Sequence, residues 1–93
     1  YITENGMAHK ETFEKGKVVD IERINFYKKH LNEIKQLLNK GVPLRGFFAW
    51  SLLDNFEWAY GYSKRFGLIY VDFKSLKRIP KKSWFEFKKV LNK

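Results

Sequence analysis

The chain has no cysteine, only two prolines and one methionine, and no long apolar run in its 93 residues. Without thiols it forms neither disulfides nor thiolate metal sites, which fits a reducing compartment, and a cytoplasmic setting is expected. No window approaches the ~18 apolar residues of a membrane span, and no charged leader precedes an apolar stretch. Neither His9 nor His30 has a second His, Asp or Glu at metal-ligand spacing, so no metal and no cofactor is expected. Acids are scarce beside bases: ten Asp and Glu stand against nineteen Lys and Arg, a net charge of +9.

That surplus raises the question of nucleic acid, because clustered Lys and Arg are the footprint of phosphate binding. The excess is greatest from Lys74 to Lys93, where eight bases meet the single acid Glu86. Such a run is expected to be the wet face of a terminal helix. No nucleic-acid motif accompanies it, and the aromatics, 18% of the chain, cluster around acids. Neither a nucleic-acid nor a membrane partner is therefore expected.

Tyr1 to Glu4 reads as a short strand, with Ile2 and Thr3 favouring extended backbone and Asn5-Gly6 read as a turn signal after it. Nothing ahead of Tyr1 pairs with that strand, so a piece of a larger unit is expected. Met7 to Val19 has no sustained period and reads as a surface loop, with His9 solvated. Asp20 then reads as an N-cap, with Glu22 in the first turn. Ile21, Ile24, Tyr27, Leu31, Ile34 and Leu38 recur every three to four residues, predicting a helix of about five turns. Gly41 and Pro43 supply its stop, and Arg23 and His30 on it read as structural groups.

Leu44 to Leu53 is almost wholly apolar and aromatic, the pattern of a strand buried on both faces. Asp54 to Trp58 follows as a loop that keeps aromatics beside acids. Phe66 to Phe73 reads as a strand or hairpin, with Leu68, Tyr70 and Asp72 on one face and Ile69, Val71 and Phe73 on the other. Pro80 suits the first turn of a second helix, which Trp84, Phe85, Phe87, Lys88 and Leu91 continue. Two strand-to-helix units in series imply a parallel pair joined by a crossover helix, and so an α/β fold. Such a pair has open edges and needs more strands, from elsewhere in the same chain or from another chain by self-association.

Two acids stand out at the ends of these strands: Glu4, and Glu57 beside Trp58 with Trp50 upstream. Carboxylates among indoles suit a neutral ligand rich in hydroxyls, whose CH faces lie on the rings while its hydroxyls donate to the acid. A sugar has that chemistry.

ITENG at Ile2 to Gly6, WSLLDNFEWAYGY at Trp50 to Tyr62, RFGLIYVDF at Arg65 to Phe73 and KRIPKKS at Lys77 to Ser83 carry a specific likeness. In order and spacing the chain resembles the C-terminal part of glycoside hydrolase family 1, the retaining β-glucosidases and β-galactosidases. The likeness covers essentially the whole chain. It implies that residues 1–93 are the C-terminal segment of a single (β/α)8 TIM-barrel domain, about strands 7 and 8 with their helices, and that the site lies at the carboxyl ends of the strands.

The resemblance also implies roles. Glu4 is the expected nucleophile, Trp50 the platform under the sugar, and Glu57 and Trp58 partners of hydroxyls far from the scissile bond. Phe66 is expected to line the wall near the exocyclic carbon. Core packing is the competing role for aromatics here, and it is favoured for Phe47, Phe48 and Phe56. Relatives acting on 6-phosphorylated sugars carry serine in place of Glu57 and usually tyrosine in place of Phe66, so a plain β-glucoside or small oligosaccharide is the expected substrate. The general acid, in a Thr-Asn-Glu-Pro type motif of the family, is absent from the chain, and the isolated 93 residues are expected to be inactive. A non-catalytic carbohydrate-binding or scaffold fragment, a 6-phospho-β-glycosidase and a basic nucleic-acid module are the alternatives.

Overall fold

The computed structural model describes residues 1–56, 61 and 63–91. Strand β1 (Ile2–Asn5) is followed by the short strands β2 (Phe13–Glu14) and β3 (Lys17–Val18), then helix α1 (Ile21–Asn39). Strands β4 (Phe47–Ala49), β5 (Ile69–Val71) and β6 (Arg78–Pro80) come next, and helix α2 (Lys82–Leu91) closes the order. β1 and β4 pair in parallel, with α1 in the connection between them. The expected crossover unit is therefore present.

α1 begins and ends where its pattern predicts, with one exception, the capping of its N-terminus. Gly41, at φ 83°, follows the C-cap Lys40. Gly41 N–H donates to the Leu38 carbonyl and Val42 N–H to the Leu37 carbonyl, both at 3.1 Å, which is the Schellman pattern. At the other end Asp20 makes no side-chain cap bond. Its carboxylate instead accepts from Arg23 at 2.7 Å and from the Ser83 hydroxyl at 2.5 Å, because a charged partner and a second helix compete for it and win. Only part of the predicted stripe is sealed: Ile24 and Tyr27 are buried and Leu31 and Ile34 half-buried, whereas Ile21 and Leu38 are exposed.

Three further expectations are corrected. The loop from Met7 to Val19 holds a hairpin of β2 on β3, turned by Lys15 and Gly16 at φ 51° and 72°; two residues in the left-handed region match the twist of a tight hairpin. Pro80 lies in β6, paired with Ile69 of β5, and α2 starts two residues later. The run around Phe66 to Phe73 is thus one arm of a hairpin, and its burial does not alternate, since Leu68 and Val71 are both sealed. Leu68 precedes β5, so its direction is not bound by the pleat of that strand.

The long apolar stretch of Leu44 to Leu53 is a strand for only three residues, and it is not buried on both faces. Phe48 is 58% exposed and Leu52 53%. β4 has β1 as its one ladder partner among the described residues. Among the described residues the buried apolar core is correspondingly small: Val18, Ile24, Tyr27, Leu68 and Val71.

Candidate active site

Because β1 and β4 are parallel, their carboxyl ends lie at one edge. Ile2 stands opposite Phe47 and Asn5 opposite Ala49, so three steps along β1 face two along β4. The extra residue is a bulge at Thr3 and Glu4, a device that re-aims a side chain at a strand end. Glu4 is exposed. Trp50 follows β4 directly, with its N–H donating to the Asn5 carbonyl at 2.7 Å, and is 38% exposed. Ser51 N–H donates to the carbonyl of the half-buried Phe66 at 3.2 Å. The fold thus brings the backbones of Glu4, Trp50 and Phe66 to one rim. Glu57 and Trp58 lie outside the described residues.

Two readings of aromatics and glycine change here. Phe48 and Phe56 are exposed, so core packing within this chain is not their role. Gly6 is not a left-handed turn residue; a Cβ on it would sit 1.9 Å from the Trp50 carbonyl oxygen. Glycine is needed there because two backbones touch.

Behind the rim lies a feature the sequence did not announce, a buried chain of six alternating charges. Asp20 pairs with Arg23, Arg23 with Glu11, and Glu11 with Lys81 at 3.3 Å. Lys81 continues to Asp54 at 2.8 Å, and Asp54 to Arg65 at 2.8 Å. Arg23 and Lys81 are 0% exposed. Lys81 therefore departs from the solvated face expected for the basic run. Asp54 also accepts from the N–H groups of Gly67 and Val71, and Arg23 donates to the carbonyls of Met7 and Arg65. Burial costs ions several kcal/mol each unless they are paired and hydrogen-bonded; every charge of this array is paired, while Glu11 Oε1 and Arg23 Nε have no hydrogen-bond partner among the described residues.

The same balance appears in the proton affinities. Burial acts against the charge on Arg23, but direct contacts with Glu11 and Asp20 and their charges outweigh it and hold the guanidinium above its ordinary value. For Lys81 burial, with the nearby Arg23 charge, prevails over Asp54 and Glu11, and its affinity is lowered. No periodicity marks these positions; a lysine between a strand and a helix looks like any surface lysine. His9, read as solvated, has a half-buried ring whose Nδ1 is sealed without a hydrogen-bond partner among the described residues. His30 Nδ1 lies 2.8 Å from the Phe26 carbonyl, a structural contact.

Chemically, the rim offers an exposed carboxylate at Glu4, whereas Asp54, which follows Trp50 in the chain, is consumed by pairing with Lys81 and Arg65. The carboxylate of Glu4 pairs with no other described side chain, which leaves its lone pairs for a ligand. A concavity of about 320 Å³ between α1 and α2, lined by residues including Ile24, Leu31 and Phe87, includes none of Glu4, Trp50 or Phe66. Among the described residues no group of three His, Asp or Glu is placed to hold a metal ion, and no helix is long and apolar enough to cross a membrane.

Residues 1–93 match the model of Glycosyl hydrolase family 1. The chain belongs to this family. Among its relatives, β-glucosidase A of Thermotoga maritima is 51% identical over 92 residues, covering 98% of this chain and 21% of that protein. The 6-phospho-β-galactosidase of Clostridium acetobutylicum is 49% identical over 90 residues, covering 97% of this chain and 19% of that protein. The structure of a family 1 β-glucosidase from Thermotoga maritima superposes with a TM-score of 0.96 at 49% identity, over 99% of this chain and 21% of that one. That enzyme is also known in complex with isofagomine lactam and with glucoimidazole. This family 1 chain therefore spans about a fifth of the length of the relatives it matches, and its fold is that of a small piece of their TIM barrel.

Proposed function

We propose that this segment supplies the nucleophile and part of the sugar-binding rim of a retaining β-glycosidase acting on unphosphorylated β-glucosides. It occupies the strand 7 and strand 8 region of a (β/α)8 barrel. The observation that carries the reading is Glu4: an exposed carboxylate, free of pairing with other described side chains, on a bulged strand end beside Trp50. Retention needs two carboxyl groups roughly 5 Å apart. In the first step a Glu4 oxygen forms a bond to the anomeric carbon as the bond to the leaving oxygen breaks, and that oxygen takes its proton from an acid on another part of the barrel. In the second step water replaces Glu4, giving its proton to the same group. Trp50 offers the sugar's CH face a ring, Phe66 a wall, and Glu57 with Trp58 hydroxyl partners.

The isolated 93 residues lack that acid and are inactive alone; general acid–base assistance is worth roughly 10²–10⁴-fold. Preference for a plain sugar rests on Glu57 and Phe66, since a carboxylate beside a phosphate would repel it. Proton NMR of the full-length protein with an aryl β-glucoside is the test. The reading expects the β anomer of glucose to appear first, and higher kcat/KM than with the 6-phosphorylated analogue. First appearance of the α anomer would refute retention, and the opposite substrate order would favour the phosphorylated class.

A further inference from the structure

We infer that Tyr27 is a positioning residue for Glu4: from the middle of α1 its hydroxyl holds the carbonyls of Asn5 and Trp50 together and so sets where the carboxylate is presented. The inference rests on the reading of Glu4 as nucleophile.

The Tyr27 hydroxyl lies 3.2 Å from the Asn5 carbonyl oxygen and 3.2 Å from that of Trp50. One O–H is thus shared between two acceptors at the ends of two adjacent strands. Tyr27 is 4% exposed and its ring meets Phe26 and Phe87 edge-on at centroid distances of 5.4 and 5.5 Å, so packing from α1 and α2 fixes where the hydroxyl points. α1 itself is tied to the loops behind the rim by Arg23, which reaches the Met7 and Arg65 carbonyls. The donor therefore stands on a fixed support.

The need for such a donor follows from the bulge. Between Ile2 and Asn5 the ladder is irregular, so regular strand pairing does not hold Glu4 in register. Beyond the bulge the Asn5 carbonyl takes two donors, Trp50 N–H at 2.7 Å and the Tyr27 hydroxyl. The Trp50 carbonyl is pressed between that hydroxyl and Gly6, where no Cβ fits. Glu4 is covalently one residue from this clamp. Burial raises the phenol to about 12, so it remains a donor at ordinary pH.

Tyr27→Phe in the full-length protein removes one oxygen and leaves the ring. A misplacement of about 1 Å at a reacting group is worth on the order of 10²-fold in rate. We expect kcat on an aryl β-glucoside to fall by roughly that factor while KM stays within about twofold, the signature of an interaction needed in the transition state. The rate at which a 2-deoxy-2-fluoro glucoside labels Glu4 falls in parallel. Gly6→Ala, which displaces the Trp50 carbonyl from the other side, gives the same kcat loss, and the two changes together lose less than the product of their separate factors. Unchanged kcat in both folded variants, or a loss carried by KM alone, would overturn the inference. Absence of turnover by the wild-type protein would instead overturn the underlying assignment of Glu4.

Discussion

The rim and the interior behind it use acids in opposite ways. Glu4 at the strand end is exposed and its carboxylate pairs with no other described side chain, whereas Glu11, Asp20 and Asp54 are sealed and each touches at least one cation. The difference separates two tasks. A carboxylate meant for a ligand keeps its lone pairs in solvent, while carboxylates that join loops to helices are buried with matched cations. The alternating array links the segment before the hairpin, α1, the stretch after β4, the start of the β5 hairpin and the entry to α2. Segments without much apolar core are thereby held behind the rim. On the proposed function, the exposed acid serves chemistry and the buried ones serve geometry.

The largest expected effect breaks the comparison at the rim. Glu4→Gln in the full-length protein should lower kcat roughly 10⁴-fold or more with little change in melting temperature, because an exposed acid without a partner contributes little to stability. An equal loss from unfolding, seen by circular dichroism, would place Glu4 with the structural acids. Next comes Lys81→Met, which strands Glu11 and Asp54 as buried anions short of a partner. Loss of one member of a buried pair is worth roughly 3–5 kcal/mol, so urea unfolding should shift by that amount. A shift of less than about 1 kcal/mol, the range of surface pairs, would mean that the array is not as dry as its exposure states.

The smallest effect is electrostatic and concerns Tyr27. Its pKa is raised from 10.0 to about 12 by burial first, with Asp20 adding and Arg23 opposing. Above pH 10.0 the unfolded phenol loses its proton while the native one keeps it, so stability is whole below that pH and falls as pH rises through about 12. The slope is at most about 1.4 kcal/mol per pH unit. Lys81 works in the other direction: its lowered affinity makes the native state give up a proton before the unfolded one, so its contribution grows with pH up to 10.5. Comparing wild type with Tyr27→Phe isolates the phenol. The variant should lose the alkaline fall that Tyr27 causes, and an identical fall in both proteins would assign it elsewhere.

Elements with a long period were legible before the structure, and those without were not. α1 could be read because an apolar residue recurs every turn and Gly41 marks the stop. β2 and β3 have two residues each, too few for alternation, and only the Lys15-Gly16 turn hints at them. Pro80 was misplaced because the same fixed φ suits a helix start and a strand with an edge. Gly6 looked like a turn residue, and only the approach of the Trp50 carbonyl explains it. Glu4 and Trp50 are proposed as site residues through the family likeness, and the rim they share follows from parallel pairing. Lys81, Glu11 and Tyr27 could not be picked out, since their roles depend on partners 27, 70 and 22 residues away in sequence.

The most direct measurement is mass spectrometry of the full-length protein after reaction with an aryl 2-deoxy-2-fluoro-β-glucoside, whose electron-poor ring slows the second step and leaves the sugar on the nucleophile. If Glu4 is the nucleophile, one fluoroglucosyl group is added and peptide fragmentation maps it to Glu4. A label on another acid, with Glu4 unmodified, would contradict that assignment.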